Sequence, residues 1–373
     1  MTDTFPGLSP GVLGAASPRG GVVYDLVSEQ LSLLNASGAA LLAACADRSD
    51  RTRLLDAWSV DAGVPIAQLC DEVDDALAEF HTAGFIGRSD PSPRIHLPDA
   101  PVTPLDDGEG AATQSAGVHR IRFRSSAPAL VDMVDDLLGL ASSDEPTADF
   151  HLVPEADGTI RLVTDTEWCF ADRDELVGRL VMVVNDFVAR TTTDIVLHAA
   201  ALRSPRGEVV VFPAAPSSGK STLAGVLVQH GWAYLGDESV TIRADDLAVA
   251  PCAKPLGLDE ASCAVLGLDL ALAGDVGLDL VASGAIPVTD PCPSPTAIVV
   301  PSYVGPEGSP SRELLDFDAA LVTLVGNALN LRYVGSSGLE TLVTLAASVP
   351  VHSIAYRTSD EAVTRLSDLG FDS

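Results

Sequence analysis

The chain has 373 residues, enough for two or three domains with cores of their own, and a hydrophobic fraction of 47% that excludes an intrinsically disordered protein. Asp and Glu number 52 against 22 Lys and Arg, a formal net charge of −30 that repels polyanions and argues against nonspecific binding to nucleic acid or anionic lipid. No apolar stretch is long enough to span a bilayer, Met1 to Pro6 lack a basic n-region and an apolar h-region, and six cysteines at 45, 70, 169, 252, 263 and 292 lack metal-ligand spacing, so the expectation is a cytoplasmic protein with reduced thiols and no membrane contact.

Residues 1 to 20, rich in Gly, Pro, Ser and Ala, read as a loose lead-in. From 21 to 88 the pattern is that of a small domain. Val22 to Leu26 and Gln30 to Leu34 read as a β-hairpin, and three helices follow at 37–46, 51–62 and 66–83, the last with Leu69, Val73, Leu77 and Phe80 on one face. Residues 89–116 turn to Pro, Asp, Gly, Ser and Thr and read as a linker.

A second domain is expected over 117–373. His119 to Arg124 alternates Arg with Ile and Phe as a half-buried strand does, its arginines forming either a basic stripe or a solvated face. A helix near Ala127 to Leu140, strands near Phe150 to Pro154 and Thr159 to Thr164, and a helix over Asp174 to Arg190 lead to the run Ile195 to His198. Val209 to Phe212 is a strand buried on both faces, stopped by Pro213 and Pro216. From Ser221 the apolar positions Leu223, Val226 and Leu227 recur at helical spacing, and Trp232 to Leu235 reads as another strand. The domain closes with helices at 319–331 and 338–347 and a strand from His352 to Tyr356.

The order strand, loop, helix makes Gly219-Lys220-Ser221-Thr222 a phosphate-binding loop, in which Ala214, Ala215, Pro216, Ser217, Ser218, Gly219, Lys220, Ser221 and Thr222 surround the anion. Backbone N–H groups concentrate partial positive charge there, Lys220 adds a full charge and the Ser221 hydroxyl is placed for Mg²⁺. Ala214 stands where the pattern G-x-x-x-x-G-K-[ST] has Gly. Of the 22 cationic residues only two are lysines, Lys220 and Lys254, so one of the two falls where a compact charge is wanted. Gly236-Asp237-Glu238 follows the strand after the loop, and in a doubly wound sheet such residues reach the edge that carries the loop.

Two resemblances add to this reading. Asp25, Leu33-Leu34-Asn35-Ala36-Ser37-Gly38-Ala39, Leu77-Ala78-Glu79-Phe80 and Gly84-Phe85-Ile86 make residues 21–88 resemble the PqqD-like fold, a small winged-helix-like α+β domain that recognises ribosomally made precursor peptides. The resemblance implies that a leader peptide adds as a strand to the hairpin edge beside the third helix, where Asp71, Glu72, Asp74, Asp75 and Glu79 either meet basic residues of the leader or form a solvated face. His198, the loop, one helix and the acidic pair after Leu235-Gly236 resemble HPr kinase and its relatives, as do, more weakly, Pro251 to Leu256 and Asn327 to Arg332.

That second resemblance implies an α/β P-loop domain that uses ATP and Mg²⁺. In it Asp237 is the general base held by His198 through a hydrogen bond, Ser221 and Glu238 share Mg²⁺, and Lys220 neutralises the transferring phosphoryl group. Lys254 is expected either to contact phosphate from the far side or to be an ordinary surface lysine, and Asp237 holding water on Mg²⁺ and His198 as a core histidine remain alternatives. The functional expectation is an ATP-dependent phosphotransferase acting on a Ser or Thr of a precursor peptide gripped by the first domain. A nonenzymatic recognition scaffold serving partner modifying enzymes is the alternative, and a kinase for a small molecule or another protein is a weaker third. Homo-oligomerisation is left open.

Overall fold

The computed structural model of the chain describes residues 4–89, 110–138, 142, 144–215, 218–252, 254, 256–268 and 292–371. They form a mixed α/β protein whose contacts divide into two units. One is built from 4–89 with Phe317–Val325 and Val334–Ser348, the other from the remaining described residues.

In the first unit β1 (Val12–Ser17), β2 (Gly20–Asp25) and β3 (Gln30–Leu34) form an antiparallel sheet in that order. Helices α1 (Ala36–Ala46), α2 (Arg51–Ala62) and α3 (Ile66–Thr82) follow. The side chains of Asn35 and Asp50 accept the N–H groups of Gly38 and Arg53 to start α1 and α2, and Gly63 ends α2 at φ 64°. Leu41, Leu42, Leu55, Val73 and Phe80 pack with Val23 as the core. The lead-in expected to be loose is ordered from residue 4: Phe5 belongs to this core and β1 pairs with β2 along its length. Small residues hid it. A Cβ on Gly14 would lie 3.1 Å from Leu42, so the close approach of α1 demands the composition that reads as loop.

The second unit opens with β4 (Gly110–Ala116), β5 (His119–Ser125), α4 (Pro128–Leu138), β6 (Ala148–Pro154), β7 (Ile160–Val163), β8 (Glu167–Phe170) and α5 (Arg173–Thr191). The five strands form one sheet in chain order, and Phe123, Phe150, Leu176, Leu180 and Phe187 join the sheet to its helices. β4 takes up the end of the stretch read as a linker, whose residues 90–109 lie outside the described residues. Arg122 and Arg124 both pair with Asp149, and Arg120 with Asp144, so the three arginines form a salt-bridged face and not a basic stripe.

Then come β9 (Ile195–Leu197), β10 (Ala199–Arg203), β11 (Val209–Pro213), α6 (Lys220–Gln229), β12 (Ala233–Gly236), β13 (Val240–Ile242), β14 (Val249–Ala250), α7 (Glu260–Leu266), β15 (Ala297–Tyr303), β16 (Ser311–Leu314), α8 (Phe317–Gly326), α9 (Leu331–Ser348), β17 (Val351–Tyr356) and α10 (Ser359–Ser367). Helix α9 is broken at Gly335, φ 63° and ψ −141°. A six-stranded sheet has the order β12-β10-β11-β15-β17-β16, and β14-β13-β9 form a small second sheet. The large sheet is mixed. β10 runs antiparallel to both β11 and β12, which therefore point the same way, and β15 and β17 run parallel to β11. Four strands thus end at one edge. The doubly wound expectation missed β10, whose alanines carry little strand signal.

Most of α8 and α9 groups with the first unit, although they follow the loop domain in sequence. A Cβ on Gly20 would lie 3.5 Å from the half-buried Phe317 ring at the start of α8. The helix expected over 319–331 stops at Gly326 because the next residues turn back onto β9. Leu329 donates its N–H to Val196 O, Asn330 Oδ1 accepts from Val196 N–H at 2.9 Å, and Asn330 Nδ2 donates to Asp194 O at 2.9 Å. Asn330 is fully buried, so Asn330→Leu strands two backbone groups. Urea denaturation should show a loss of about 2–6 kcal/mol, at about 1–3 kcal/mol for each unsatisfied group.

Candidate functional site

The site grows from the shared strand edge. β11 ends at Pro213, and the chain re-emerges from the loop at the start of α6. Pro216 and Ser217 lie outside the described residues. Ala214, the departure from the glycine pattern, is buried and is not left-handed, so its methyl causes no backbone strain. Gly219 is the left-handed residue, at φ 85°, and a Cβ there would come within 3.0 Å of Tyr356 Oη and 3.2 Å of Tyr303 Cβ. As N-cap of α6 it offers no side chain to the first N–H groups of the helix. These donors are aimed out of the helix terminus, and beside them Ser218 Oγ is buried without a partner among the described residues.

β12 brings the acidic pair to the same place. Gly236 is required by its neighbour, since a Cβ would lie 2.8 Å from Cys252 O. Asp237, the next residue, is fully buried, and both of its oxygens are engaged. Lys220 Nζ donates to Oδ1 at 2.5 Å, the Glu238 N–H to Oδ1 at 2.9 Å, and the Ser221 hydroxyl to Oδ2 at 2.7 Å. Burial alone would push the Asp237 carboxyl up, but the charges of Lys220 and Lys254 and the bonds from Lys220 and Ser221 outweigh it and hold the group below the usual carboxylate range.

Glu238 takes a left-handed backbone, φ 66°, and its Oε2 meets Lys254 Nζ at 3.0 Å. Lys254 is buried, which removes its reading as an ordinary surface lysine. Both lysines of the chain therefore end on adjacent carboxylates.

His198 lies between β9 and β10, its N–H tied to Asn327 O at 2.7 Å, and its ring lines the same cavity as Lys220 and Glu238. The expected hydrogen bond from His198 to Asp237 is not formed; Asp237 is filled by Lys220 and Ser221. Burial, then the Lys220 charge, lowers the His198 pKa against the opposing pull of Asp237 and Glu238, which favours the neutral ring. The Thr222 hydroxyl is bonded to Ser262 of α7 at 2.7 Å.

The cavity measures about 980 Å³ and runs from His198 and Glu238 across Ser218 and Ser221 to Tyr303 and Arg357. Tyr303, Tyr356 and Arg357 escaped the sequence reading. Their signal was an apolar run closed by Tyr at the end of β15 and again of β17, which becomes meaningful only once those strands are known to run parallel to β11.

The donor set fits a polyphosphate: uncapped helix N–H groups, an ammonium, and hydroxyls on Ser218 and Ser221. Among the described residues no group of three or more His, Cys, Asp or Glu side chains is arranged to enclose a metal. A divalent cation here would rest on Ser221, one carboxylate, phosphate oxygens and water, the usual manner of Mg²⁺. Glu238, drawn to Lys254, is the less available of the two carboxylates.

No family model and no curated protein matches the chain. Among solved structures it is similar to the Hpr(Ser) kinase/phosphatase from Coxiella burnetii, at 12% identity and a TM-score of 0.25, over 47% of this chain and 97% of that one. So loose a likeness bears on neither fold nor function, and the site rests on its own geometry.

Removing one member of the buried pair should cost far more than removing both. Asp237→Leu leaves the Lys220 ammonium uncompensated, with an expected loss of about 3–5 kcal/mol, and Lys220→Met with Asp237→Leu recovers most of it. Chemical denaturation of the two single variants, the double variant and the unaltered chain checks this. Additive losses would show that the side chains do not interact.

Proposed function

We propose that the second unit binds Mg²⁺-ATP at the start of α6 and transfers its terminal phosphoryl group to a Ser or Thr hydroxyl of a ribosomally made precursor peptide. The observation that carries the reading is the convergence of an uncapped helix N-terminus, Lys220, Ser221 and Asp237 at one end of a cavity of about 980 Å³. ATP supplies the phosphoryl group, and Mg²⁺ supplies charge neutralisation on its oxygens. The N–H groups of α6, with Ser218 and Lys220, hold the phosphate chain, Lys220 exchanging its bond to Asp237 for one to phosphate. Ser221 and Asp237, already joined, hold the cation.

The incoming hydroxyl must lose a proton. Asp237 has both oxygens occupied and is held in its charged, weakly basic form, whereas His198 presents a neutral ring to the cavity. His198 is therefore the better proton acceptor and Asp237 the better metal ligand. For the acceptor, the support is the edge position of β3, whose residues are exposed or half-buried, and the exposed carboxylates Asp71, Glu72, Asp75 and Glu79 of α3, which suit a strand-forming leader with basic residues.

A second reading, a nonenzymatic recognition scaffold, draws on the closure of Lys220 and Lys254 onto Asp237 and Glu238, a site satisfied by its own side chains. The two separate cleanly. Incubation with Mg²⁺-ATP and the precursor peptide encoded beside this chain should add phosphate detectable by mass spectrometry, with Lys220→Ala losing about 10²–10³ in rate. Peptide maturation that survives Lys220→Ala but fails when a proline blocks the β3 edge would favour the scaffold.

The pH profile tests the base. A base must be unprotonated, so activity falls as the pH drops through the His198 pKa, and burial moves that limb to lower pH than an ordinary histidine would give. His198→Gln should remove the limb and cost about 10²–10⁴ in kcat. An unchanged limb in that variant would return the role to Asp237.

A further inference from the structure

We infer that the end of the cavity away from Asp237 is a nucleobase site in which Tyr303 provides the stacking face. This rests on the reading of the α6 terminus as a triphosphate cradle and extends it to the part of the nucleotide that the loop does not touch.

Sheet order sets the direction. Asp237 lies at the end of β12, on one side of β11, while β15 and β17 lie on the other side. A phosphate chain whose last group faces Asp237 must carry the rest of its molecule toward the ends of β15 and β17. From β11 to β17 is two strand spacings, roughly 10 Å. Those two strands run parallel to β11, so their last residues, Tyr303 and Tyr356, open onto the same edge as the loop.

The two tyrosines differ in a way that packing alone does not require. Tyr356 is buried, and its hydroxyl reaches Gly219 O at 3.5 Å. Tyr303 is 52% exposed, yet it is fixed: its N–H donates to Ser218 O at 3.1 Å, and its ring is backed by Tyr356 at a centroid distance of 6.1 Å. An aromatic ring held by the phosphate loop and left half open to the cavity is what a nucleobase needs.

Room is present too. A second cavity of about 530 Å³ shares Pro306, Arg357, Thr358 and Asp360 with the first, so space continues past the tyrosines. Arg357 is steadied there by Glu361, at 3.3 Å, and presents a planar guanidinium. Where a base would lie the lining offers the faces of Tyr303 and Arg357 with the polar groups of Thr358 and Asp360 beside them, and where phosphates would lie it offers the α6 terminus and Lys220.

The test compares a ligand with a base to one without. Binding of Mg²⁺-ATP and of Mg²⁺-tripolyphosphate is measured by calorimetry on the full chain, Tyr303→Ala, Tyr303→Phe and Lys220→Ala, with circular dichroism confirming the fold of each. Tyr303→Ala should weaken ATP by about 5- to 100-fold, the range of base–aromatic stacking, and leave tripolyphosphate unchanged. Tyr303→Phe should bind both like the unaltered chain, and Lys220→Ala should weaken both. Equal weakening of the two ligands by Tyr303→Ala would mean that the ring only shapes the loop, and an unchanged ATP affinity would place the base elsewhere; either result overturns the assignment. Failure of the unaltered chain to bind either ligand overturns the cradle reading first, and is distinguishable because Tyr303 then has nothing to discriminate.

Discussion

The ion pair between Lys220 and Asp237 is the constraint on which the site depends. It joins the start of α6, which follows β11, to the end of β12 across the one intervening strand β10, and it does so in the interior. Taking two charges out of water costs several kcal/mol each, and only good geometry offsets that. Here the geometry is good on the acid side, because the Ser221 hydroxyl and the Glu238 N–H bring the carboxylate to three hydrogen bonds shared over both oxygens. A hydrophobic pair could hold the two elements together as well. What it could not do is supply the cation and the carboxylate that the proposed phosphate site needs.

The second ion pair explains an oddity of the backbone. Glu238 takes a left-handed conformation that non-glycine residues seldom adopt, and the same turn directs its side chain to Lys254. Cys252 fixes the distance: its N–H bonds to Leu235 O at 2.9 Å, and its carbonyl presses on Gly236 so closely that no Cβ fits. Lys254 is thereby delivered two residues later, and its charge helps to keep Asp237 ionised. A strained φ at 238 and a missing side chain at 236 are two parts of one arrangement.

How far the sequence reached follows from the range of its signals. The strand, loop and helix around Lys220 were legible because an apolar run, a glycine and a helical repeat are local patterns, and the three helices of the first unit were legible for the same reason. β1 and β4 were not, because alanines and glycines that allow close packing have the composition of a loop. β10 failed similarly. The meeting of Lys220 with Asp237 was half visible, since the edge rule for strand ends put Asp237 beside the loop, but the partner was misassigned: His198 shares the cavity, whereas Lys220 and Ser221 take the carboxylate. Tyr303 and Arg357 were beyond reach because nothing local says which strands flank β11.

A chain with a net charge of −30 is an unpromising host for the polyanion proposed here, and the charges lining the cavity bear on that difficulty. Three of its carboxylates, Glu238, Asp259 and Asp360, each have a local counterweight. Lys254 answers Glu238, Asp259 caps the N-terminus of α7 by accepting the Ser262 N–H at 2.8 Å, and Asp360 lies in the first turn of α10. The positive end of a helix macrodipole, about half a charge, offsets each of the last two. Arg357 is likewise matched by Glu361, and Lys220 by Asp237. The α6 terminus is different, for Gly219 gives it no capping side chain and its first turn carries no acid. With most of the other charges offset, its N–H groups stand out in the local field, which is where the proposed phosphate chain would lie.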